Sequence, residues 1–250
     1  MEAAPQTPMP PVETPRAVRP IERAGAIFEV ILCSGFTTQI IVITVMAASG
    51  MRMHLANGQL SAPFIFTLTL LDTVLLVGLI LFFMRAHRES VRRTLFGHTS
   101  TAREVAYGFL LVPLSFLVVV FVLVAVQLTA PSLRNVLHNP LQDLARTRAE
   151  AILFGFVATV AGGVREEMQR GFVLRRFEQY LGGGFVGVVL FSAVFGLGHL
   201  EQGYDVALAT AVLGAFWGAI YLVRRSILAP MIGHAGFNLA QVVKFVTMGT

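Results

Sequence analysis

The sequence predicts an all-α protein, a polytopic transmembrane bundle of about seven helices. Of its 250 residues, 55% are hydrophobic and only 13% are charged, a balance far from that of soluble domains. The apolar residues fall in runs long enough to cross a hydrocarbon layer about 30 Å thick. Arginines stand at the ends of these runs, as they do in membrane proteins whose charges fix their orientation.

The chain divides into a tail and a membrane domain. Residues 1–20 carry six of the 11 prolines and no apolar periodicity, so we expect a disordered tail there. Residues 21–250 form the integral membrane domain. The first apolar run is too long for the core of a cleaved signal peptide and predicts a span. We expect the spans at 24–49, 60–84, 105–130, 151–174, 185–200, 206–223 and 227–247.

The basic residues predict the orientation. With the N-terminus in the cytoplasm, 12 of the arginine and lysine residues fall inside and five outside. One lysine against 18 arginines is typical of a high-GC bacterial genome, so we expect a bacterial inner-membrane protein. We interpret the arginines as contacts to membrane lipids and not as a nucleic-acid surface. Because Cys33 is the only cysteine, it allows neither a disulfide framework nor a cysteine-ligated zinc site, and we predict no cofactor.

Four charged residues interrupt the fourth span: Arg165, Glu166, Glu167 and Arg170. Ionisable residues at membrane depth are costly and usually mark a site. Glu166 and Arg170 lie four apart on one helical face, the better-oriented spacing for an ion pair. We therefore expect Glu166 to pair with the supporting Arg170, which leaves Glu167 free to take a proton from water.

Two further motifs bring polar groups to other spans. In Phe195-Gly-Leu-Gly-His199, two glycines narrow the helix just before the histidine. In His234-Ala-Gly-Phe-Asn238, the histidine and the asparagine lie on one helical face, where two donors can hold a developing oxyanion. Together with the glutamates, these groups predict the hydrolysis of an amide by activated water.

These three motifs, in this order and with Pro230 four residues before His234, resemble the CPBP family. The family comprises the CAAX proteases and bacteriocin-processing (Abi) enzymes and includes the Ras-converting CAAX prenyl endopeptidase of eukaryotes. The resemblance covers about 151–239 and implies a helical membrane protease. In such an enzyme a glutamate and His199 activate water, while His234 and Asn238 form the oxyanion site.

The first motif departs from the family pattern, Glu-Glu-x-x-x-Arg-Gly, by one residue. Anchoring the comparison on Arg170-Gly171 places Arg165 and Glu166 in the two glutamate positions. Anchoring it on Glu166-Glu167 shifts the arginine instead. Both assignments stay open at the level of the sequence, and with them the identity of the catalytic base.

The depths at which the motif residues lie in the membrane set a geometric condition for this site. His199 falls near the outer end of the fifth span and Glu166 nearer the inner end of the fourth, so they meet only if spans are tilted or broken. The glycines at 162–163 and 182–184 are the candidate breaks. Elsewhere, the pattern Gly214-x-x-x-Gly218 predicts a close helix-packing face. Glu29 and Asp72 are expected to form hydrogen bonds between helices.

We therefore expect an intramembrane endopeptidase that cleaves a membrane-associated peptide or protein. A zinc-dependent variant would use His199, His234 and Glu166 as ligands, with water in the open position. A non-catalytic membrane factor of the same fold, such as a self-immunity or scaffold protein, is the alternative from another class. A proton-relaying transporter would use the same buried groups, but the sequence has no internal repeat to support it.

Overall fold

The computed structural model describes residues 17–137 and 139–248. In this part of the chain the α-helices are α1 (Pro20–Leu32), α2 (Phe36–Ala48), α3 (Ala62–Ala86), α4 (Thr101–Thr129), α5 (Arg148–Ala158), α6 (Glu166–Tyr180), α7 (Gly184–Leu197), α8 (Tyr204–Arg224) and α9 (Leu228–Met248). Two π-helical segments, Arg92–Phe96 and Thr159–Arg165, and the 3-10 turns Pro131–Leu133, Pro140–Leu144 and Leu200–Gln202 lie between them. Residues 1–16 of the predicted tail lie outside the described residues.

The all-α class is confirmed, since 81% of the described residues are helical and none of them forms a β-strand. Three helices, α3, α4 and α8, are long and apolar enough to cross a membrane, and α1 with α2 makes a fourth if the bent pair is one span. The predicted count of seven is not confirmed. At 1.5 Å per residue, the 14 residues of α7 extend about 21 Å, less than the hydrocarbon thickness.

The predicted first span is a helix pair bent by 43° between α1 and α2. Gly35 begins α2 with a φ of +87°, a left-handed conformation that glycine adopts without a steric penalty. A Cβ atom at Gly35 would lie 2.7 Å from Arg165 Nη2. The bend therefore makes room for a charged side chain from the predicted fourth span.

The segment predicted as the fourth span is a continuous helical path and not a broken one. It runs through α5, the π-helical segment Thr159–Arg165 and α6. The glycines predicted to break it, Gly162 and Gly163, lie inside the π-helical segment. A Cβ atom at Gly163 would lie 2.6 Å from Ala235 Cβ, so the missing side chain lets this segment pack directly against α9.

The small-residue face predicted in α8 is confirmed. A Cβ atom at Gly218 would lie 3.2 Å from Val188 of α7, and one at Gly214 would lie 3.0 Å from Phe195. Helices α7 and α8 can approach this closely because both positions lack a side chain.

Buried ion pairs tie the helices together. Glu29 of α1 accepts hydrogen bonds at 2.5 Å from Arg176 Nε of α6, and His87 lies within the same distance of it. Arg176 also donates to Glu89 at 2.7 Å. Glu104, at the start of α4, pairs with Arg224 at the end of α8. The prediction that Glu29 bonds between helices is confirmed.

Loop contacts define two end faces of the bundle. The end of the bundle that carries Leu95 and Ile227 is named the arginine-rich face. There the backbone N–H of Ile227 donates to the Leu95 carbonyl at 2.7 Å. At the opposite face, the N–H of Tyr204 donates to Asn135 Oδ1 and Arg146 donates to Gln59 Oε1, each at 2.8 Å. Successive long helices therefore end alternately at one face and at the other.

Candidate active site

The centre of the site is a buried hydrogen-bonded trio that joins α6 to α9. Glu167 Oε1 accepts hydrogen bonds from Arg170 and from His234 Nδ1, the second at 2.8 Å. All three side chains are buried. A carboxylate can only accept, so Nδ1 of His234 carries a hydrogen; a neutral ring with its hydrogen on Nδ1 presents Nε2 as an acceptor.

Glu166 lies beside this trio with one carboxylate oxygen facing the ring. Its Oε2 is 3.7 Å from His234 Nε2, and its Oε1 is 3.8 Å from Arg165 Nη1. Both separations exceed a hydrogen bond. The Glu166 side chain is 18% exposed, whereas that of Glu167 is 1% exposed, so Glu166 is the more accessible of the two glutamates.

The prediction that Arg170 pairs with Glu166 and leaves Glu167 free is wrong. Arg170 bonds to Glu167, three residues before it, and not to Glu166, four residues before it. The reason is tertiary, because His234 of α9 approaches the same oxygen of Glu167 and fixes that carboxylate between two donors. Glu166 is consequently the carboxylate that stays available.

An aromatic cage surrounds the Arg170 guanidinium. The rings of Phe191, Phe195 and Trp217 have their centroids 5.4, 5.2 and 5.5 Å from its central carbon. Cation–π contacts of this kind stabilise a cation whose other N–H donors are buried away from water. The Nε and Nη2 atoms of Arg170 are buried without a hydrogen-bond partner. Its remaining hydrogen bond, to Glu167, is therefore the main polar contact that holds it.

Trp217 is a site residue that the sequence did not reveal. Its ring stacks on that of His234, with centroids 3.8 Å apart and planes 23° apart. Its Nε1 donates to Ser115 Oγ of α4 at 3.2 Å, which fixes the indole. The available signal was the single tryptophan of the chain, standing one residue before Gly218 on the small-residue face.

Asn238 lies one turn beyond His234 on α9, as the spacing predicts. Its Nδ2 donates to the Ala158 carbonyl at 3.4 Å, a long and readily exchanged hydrogen bond. A Cβ atom at Gly162 would lie 2.1 Å from Asn238 Nδ2 and 3.3 Å from His234 Nε2. The missing side chain of Gly162 therefore lets the Asn238 amide and the His234 ring pack directly against the π-helical segment.

His199 stands apart from the trio. Its Nδ1 bonds to the Phe195 carbonyl at 2.9 Å, so Nδ1 carries the hydrogen and Nε2 is an acceptor. The ring of Phe195 contacts both histidine rings edge-on, with centroids 5.1 Å from His199 and 6.3 Å from His234. His199 therefore approaches the site through an aromatic neighbour and not through a hydrogen bond to a glutamate.

Arg165 forms its shortest ion pair with Asp72 and not with Glu166. Its Nη2 donates to Asp72 Oδ2 of α3 at 2.5 Å, and Asp72 also accepts from Thr38 of α2. The side chains of Arg165 and Asp72 are 9% and 3% exposed. Asp72 thus neutralises the arginine in a buried pair, and its predicted role between helices is confirmed.

The zinc ligands proposed from the sequence, His199, His234 and Glu166, are not brought together. Within residues 17–137 and 139–248, no group of three or more histidine, cysteine, aspartate and glutamate side chains could hold a metal ion. Phe195 separates the first histidine from the second.

Residues 148–240 match the family model of the type II CAAX prenyl endopeptidases, Rce1-like. This part of the chain is similar to the CAAX protease family. The resemblance inferred over about 151–239 is confirmed. Comparisons with curated proteins and with solved structures gave no match.

The CAAX protease segment includes all of the predicted site residues. It begins with α5, contains the π-helical segment Thr159–Arg165 and reaches past Asn238 in α9. Its family is a family of proteases, and the apolar helices around it are those of an integral membrane protein. Helices α1 to α4 lie outside the segment. Among them, α3 supplies Asp72, which accepts a hydrogen bond from Arg165, and α4 supplies Ser115, which accepts one from Trp217.

Proposed function

We propose that this protein is an intramembrane endopeptidase that hydrolyses a peptide bond in a membrane-associated peptide or protein. The observation that carries the proposal is the placement of His234 between two carboxylates, bonded to Glu167 and 3.7 Å from Glu166. The protease family of this segment supports the same reaction class.

Glu166 is the general base in this proposal. A water molecule between Glu166 Oε2 and His234 Nε2 donates one hydrogen to each, which turns an oxygen lone pair toward the substrate carbonyl. As this oxygen adds to the carbonyl carbon, Glu166 takes its proton. When the C–N bond of the tetrahedral intermediate breaks, Glu166 returns the proton to the leaving amine.

The other site residues orient these groups. Glu167 fixes the tautomer and the direction of the His234 ring, and Trp217 holds the plane of the ring by stacking on it. Arg170 keeps Glu167 ionised in its buried position. In this proposal His234 is neutral and its Nδ1–H is bonded to Glu167, so the other nitrogen, Nε2, accepts a hydrogen bond from the water. An acceptor cannot stabilise an oxyanion, so this proposal differs from the oxyanion role that the family resemblance implies for His234.

Asn238 supplies the oxyanion donor. Its amide gives only a long hydrogen bond to Ala158, so a substrate oxygen can replace that carbonyl at little cost. Gly162 lets this amide lie close to the π-helical segment and to His234, beside the proposed water position. His199, bonded to its own helix, can join the site only if the Phe195 ring moves aside.

The alternative, a non-catalytic factor of the same fold, rested on Arg165 standing in a glutamate position. The ion pair with Asp72 weakens that argument, because the arginine is neutralised behind the site while Glu166 faces His234. The geometry therefore favours the enzyme.

The test is a cleavage assay with the full chain purified in detergent. A library of membrane-segment peptides is incubated with the wild type and with Glu166→Gln, with and without a strong chelator, and new termini are identified by mass spectrometry. We expect cleavage by the wild type that survives chelation and disappears in the variant. Absence of new termini across the library favours the non-catalytic factor, and cleavage lost on chelation favours the zinc-dependent variant.

A further inference from the structure

A polar cavity lies at the arginine-rich face, away from Glu166 and Glu167. Its volume is about 420 Å³, and it is lined by Arg93 and Thr94 of the first π-helical segment, by the end of α6 and by the end of α8. We name it the arginine pocket, after Arg93, Arg175 and Arg225 in its wall. The proposed hydrolysis uses none of these residues.

The arginine pocket carries more positive charge than its wall neutralises. Glu178 is the acidic residue in its lining. One oxygen of Glu178 accepts a hydrogen bond from Arg225, and the other lies 4.0 Å from Arg175 Nη1, beyond a hydrogen bond. In the described part of the chain, the Arg93 guanidinium has neither a hydrogen bond nor an ion pair. Two positive charges are thus in excess, and two guanidinium groups retain free donors.

The backbone at Arg225 is held in an unusual conformation. Arg225 ends α8 with a φ of +56°, the left-handed region where glycine or asparagine is usual. Its carbonyl packs against Gly97, where a Cβ atom would lie 2.4 Å from that oxygen. A strained residue of this kind is retained where its side chain has a use. Here the conformation directs a charged side chain to the pocket wall.

The floor of the pocket is rigid. The Tyr221 hydroxyl donates to the Thr94 carbonyl at 3.3 Å, and the Tyr221 side chain is buried. Both residues line the cavity, so the arginines are carried by elements that are bonded to each other. A preformed cluster of guanidinium groups matches the oxygens of a phosphate, which it can bind through paired hydrogen bonds.

We propose that the arginine pocket binds the phosphate group of an anionic ligand, at the level of the lipid headgroups. The pocket opens where α6 and α8 end, next to the start of α4, a candidate span. Basic pockets between helix ends at a membrane surface are suited to phospholipid headgroups, whose phosphates lie at that depth. Soluble phosphate offers the same chemistry, and the experiment separates the two sources.

The experiment measures the melting temperature of the full chain in a neutral detergent, using the fluorescence of its one tryptophan. The additions are phosphatidylglycerol, phosphatidylcholine and inorganic phosphate. We expect phosphatidylglycerol to stabilise the wild type and phosphatidylcholine to have no effect. In Arg93→Gln/Arg175→Gln the concentration needed should rise about 10-fold or more, since a charge-assisted hydrogen bond contributes at least that factor. Stabilisation by inorganic phosphate alone would support the pocket and identify a soluble ligand.

Arg92→Gln is the matched control, because Arg92 is exposed, adjacent in sequence and absent from the pocket wall. It should respond to phosphatidylglycerol as the wild type does. An equal loss in the control and the double variant would show diffuse charge attraction and overturn the proposal, as would equal stabilisation by phosphatidylcholine. Arg93 and Arg175 are solvent-accessible, so the double variant should fold, and native mass spectrometry of retained lipid gives a second measure.

Discussion

At the scale of single residues, His234 is constrained on three sides. Glu167 binds one ring nitrogen, Trp217 stacks on the ring face and Glu166 stands 3.7 Å from the other nitrogen. The nitrogen that is left for a water molecule, Nε2, lies beside Gly162, where a Cβ atom would be 3.3 Å from it. The Asn238 amide packs against the same glycine and is the donor nearest to that position.

Replacing Asn238 by alanine should lower kcat about 100-fold or more and leave KM nearly unchanged, because an oxyanion donor is worth roughly 2.7–4 kcal/mol in the transition state. Steady-state kinetics on a cleaved peptide measure both constants. Gln241→Ala removes an amide from the exposed side of the same helix and should leave both unchanged. A change in KM alone for Asn238→Ala would speak for a substrate-binding role instead.

Asp72→Asn should destabilise the protein by roughly 3–5 kcal/mol, because it leaves Arg165 buried without its counter-charge. The double variant Asp72→Asn/Arg165→Gln should recover most of that loss. Denaturant unfolding in detergent measures the free energies. If the double variant is as unstable as the single one, the pair does not act as we describe.

Residue-level contacts also mark where prediction from the sequence failed. Helical spacing placed Glu166 and Glu167 within reach of Arg170 and favoured the four-residue pair. The choice was made by His234, 67 residues away in the chain, which no local rule contains. The partner of Arg165, Asp72, is 93 residues away and was likewise beyond local spacing.

At the scale of helical elements, the π-helical segment Thr159–Arg165 shapes the site. It places Gly162 and Gly163 against α9, and it leads directly into the glutamates at the start of α6. The sequence indicated that these glycines were special, but it predicted a break in the helix. An isolated stretch of sequence does not show that the missing side chains serve close packing against a distant helix. Such π-helical segments are frequent at functional sites.

Gly162→Ala should abolish most activity and destabilise the fold by about 1–3 kcal/mol, because the added methyl group overlaps the Asn238 amide. Activity and melting temperature are the readouts. Gly78→Ala is the control, since Gly78 lies within α3 with no heavy atom within 4 Å of an added Cβ. It should be fully active and equally or slightly more stable. Full activity of Gly162→Ala would place the substrate elsewhere.

At the scale of the whole molecule, composition predicted the all-α class correctly, because apolar runs of this length have few other folds. Composition and hydropathy did not predict the number of spans. Hydropathy records apolar length and not the direction of the chain, so it did not separate α1 from α2 or show that α7 has only 14 residues. The family segment was found because its motifs are specific even where the spans are not.

The orientation in the membrane stays a prediction, with the N-terminus and the arginine-rich face in the cytoplasm. Cysteines introduced at Asn57 and His98 occupy exposed loops on either side of α3. In intact bacterial cells, a membrane-impermeant maleimide should label the first and reach the second only after permeabilisation. The native Cys33 is fully buried and should stay unlabelled in both. The reverse labelling pattern would invert the predicted topology.

The central claim is that Glu166 performs the chemistry while Glu167 holds Arg170 and His234 in place. The most direct measurement compares cleavage rate and melting temperature for Glu166→Gln and Glu167→Gln. We expect Glu166→Gln to melt like the wild type and to lose at least about 100-fold in rate, the lower range for a general base. Glu167→Gln should unfold more easily by roughly 3–5 kcal/mol, because Arg170 is then buried and unpaired. A fully active Glu166→Gln protein, or a stable but inactive Glu167→Gln protein, would contradict the account.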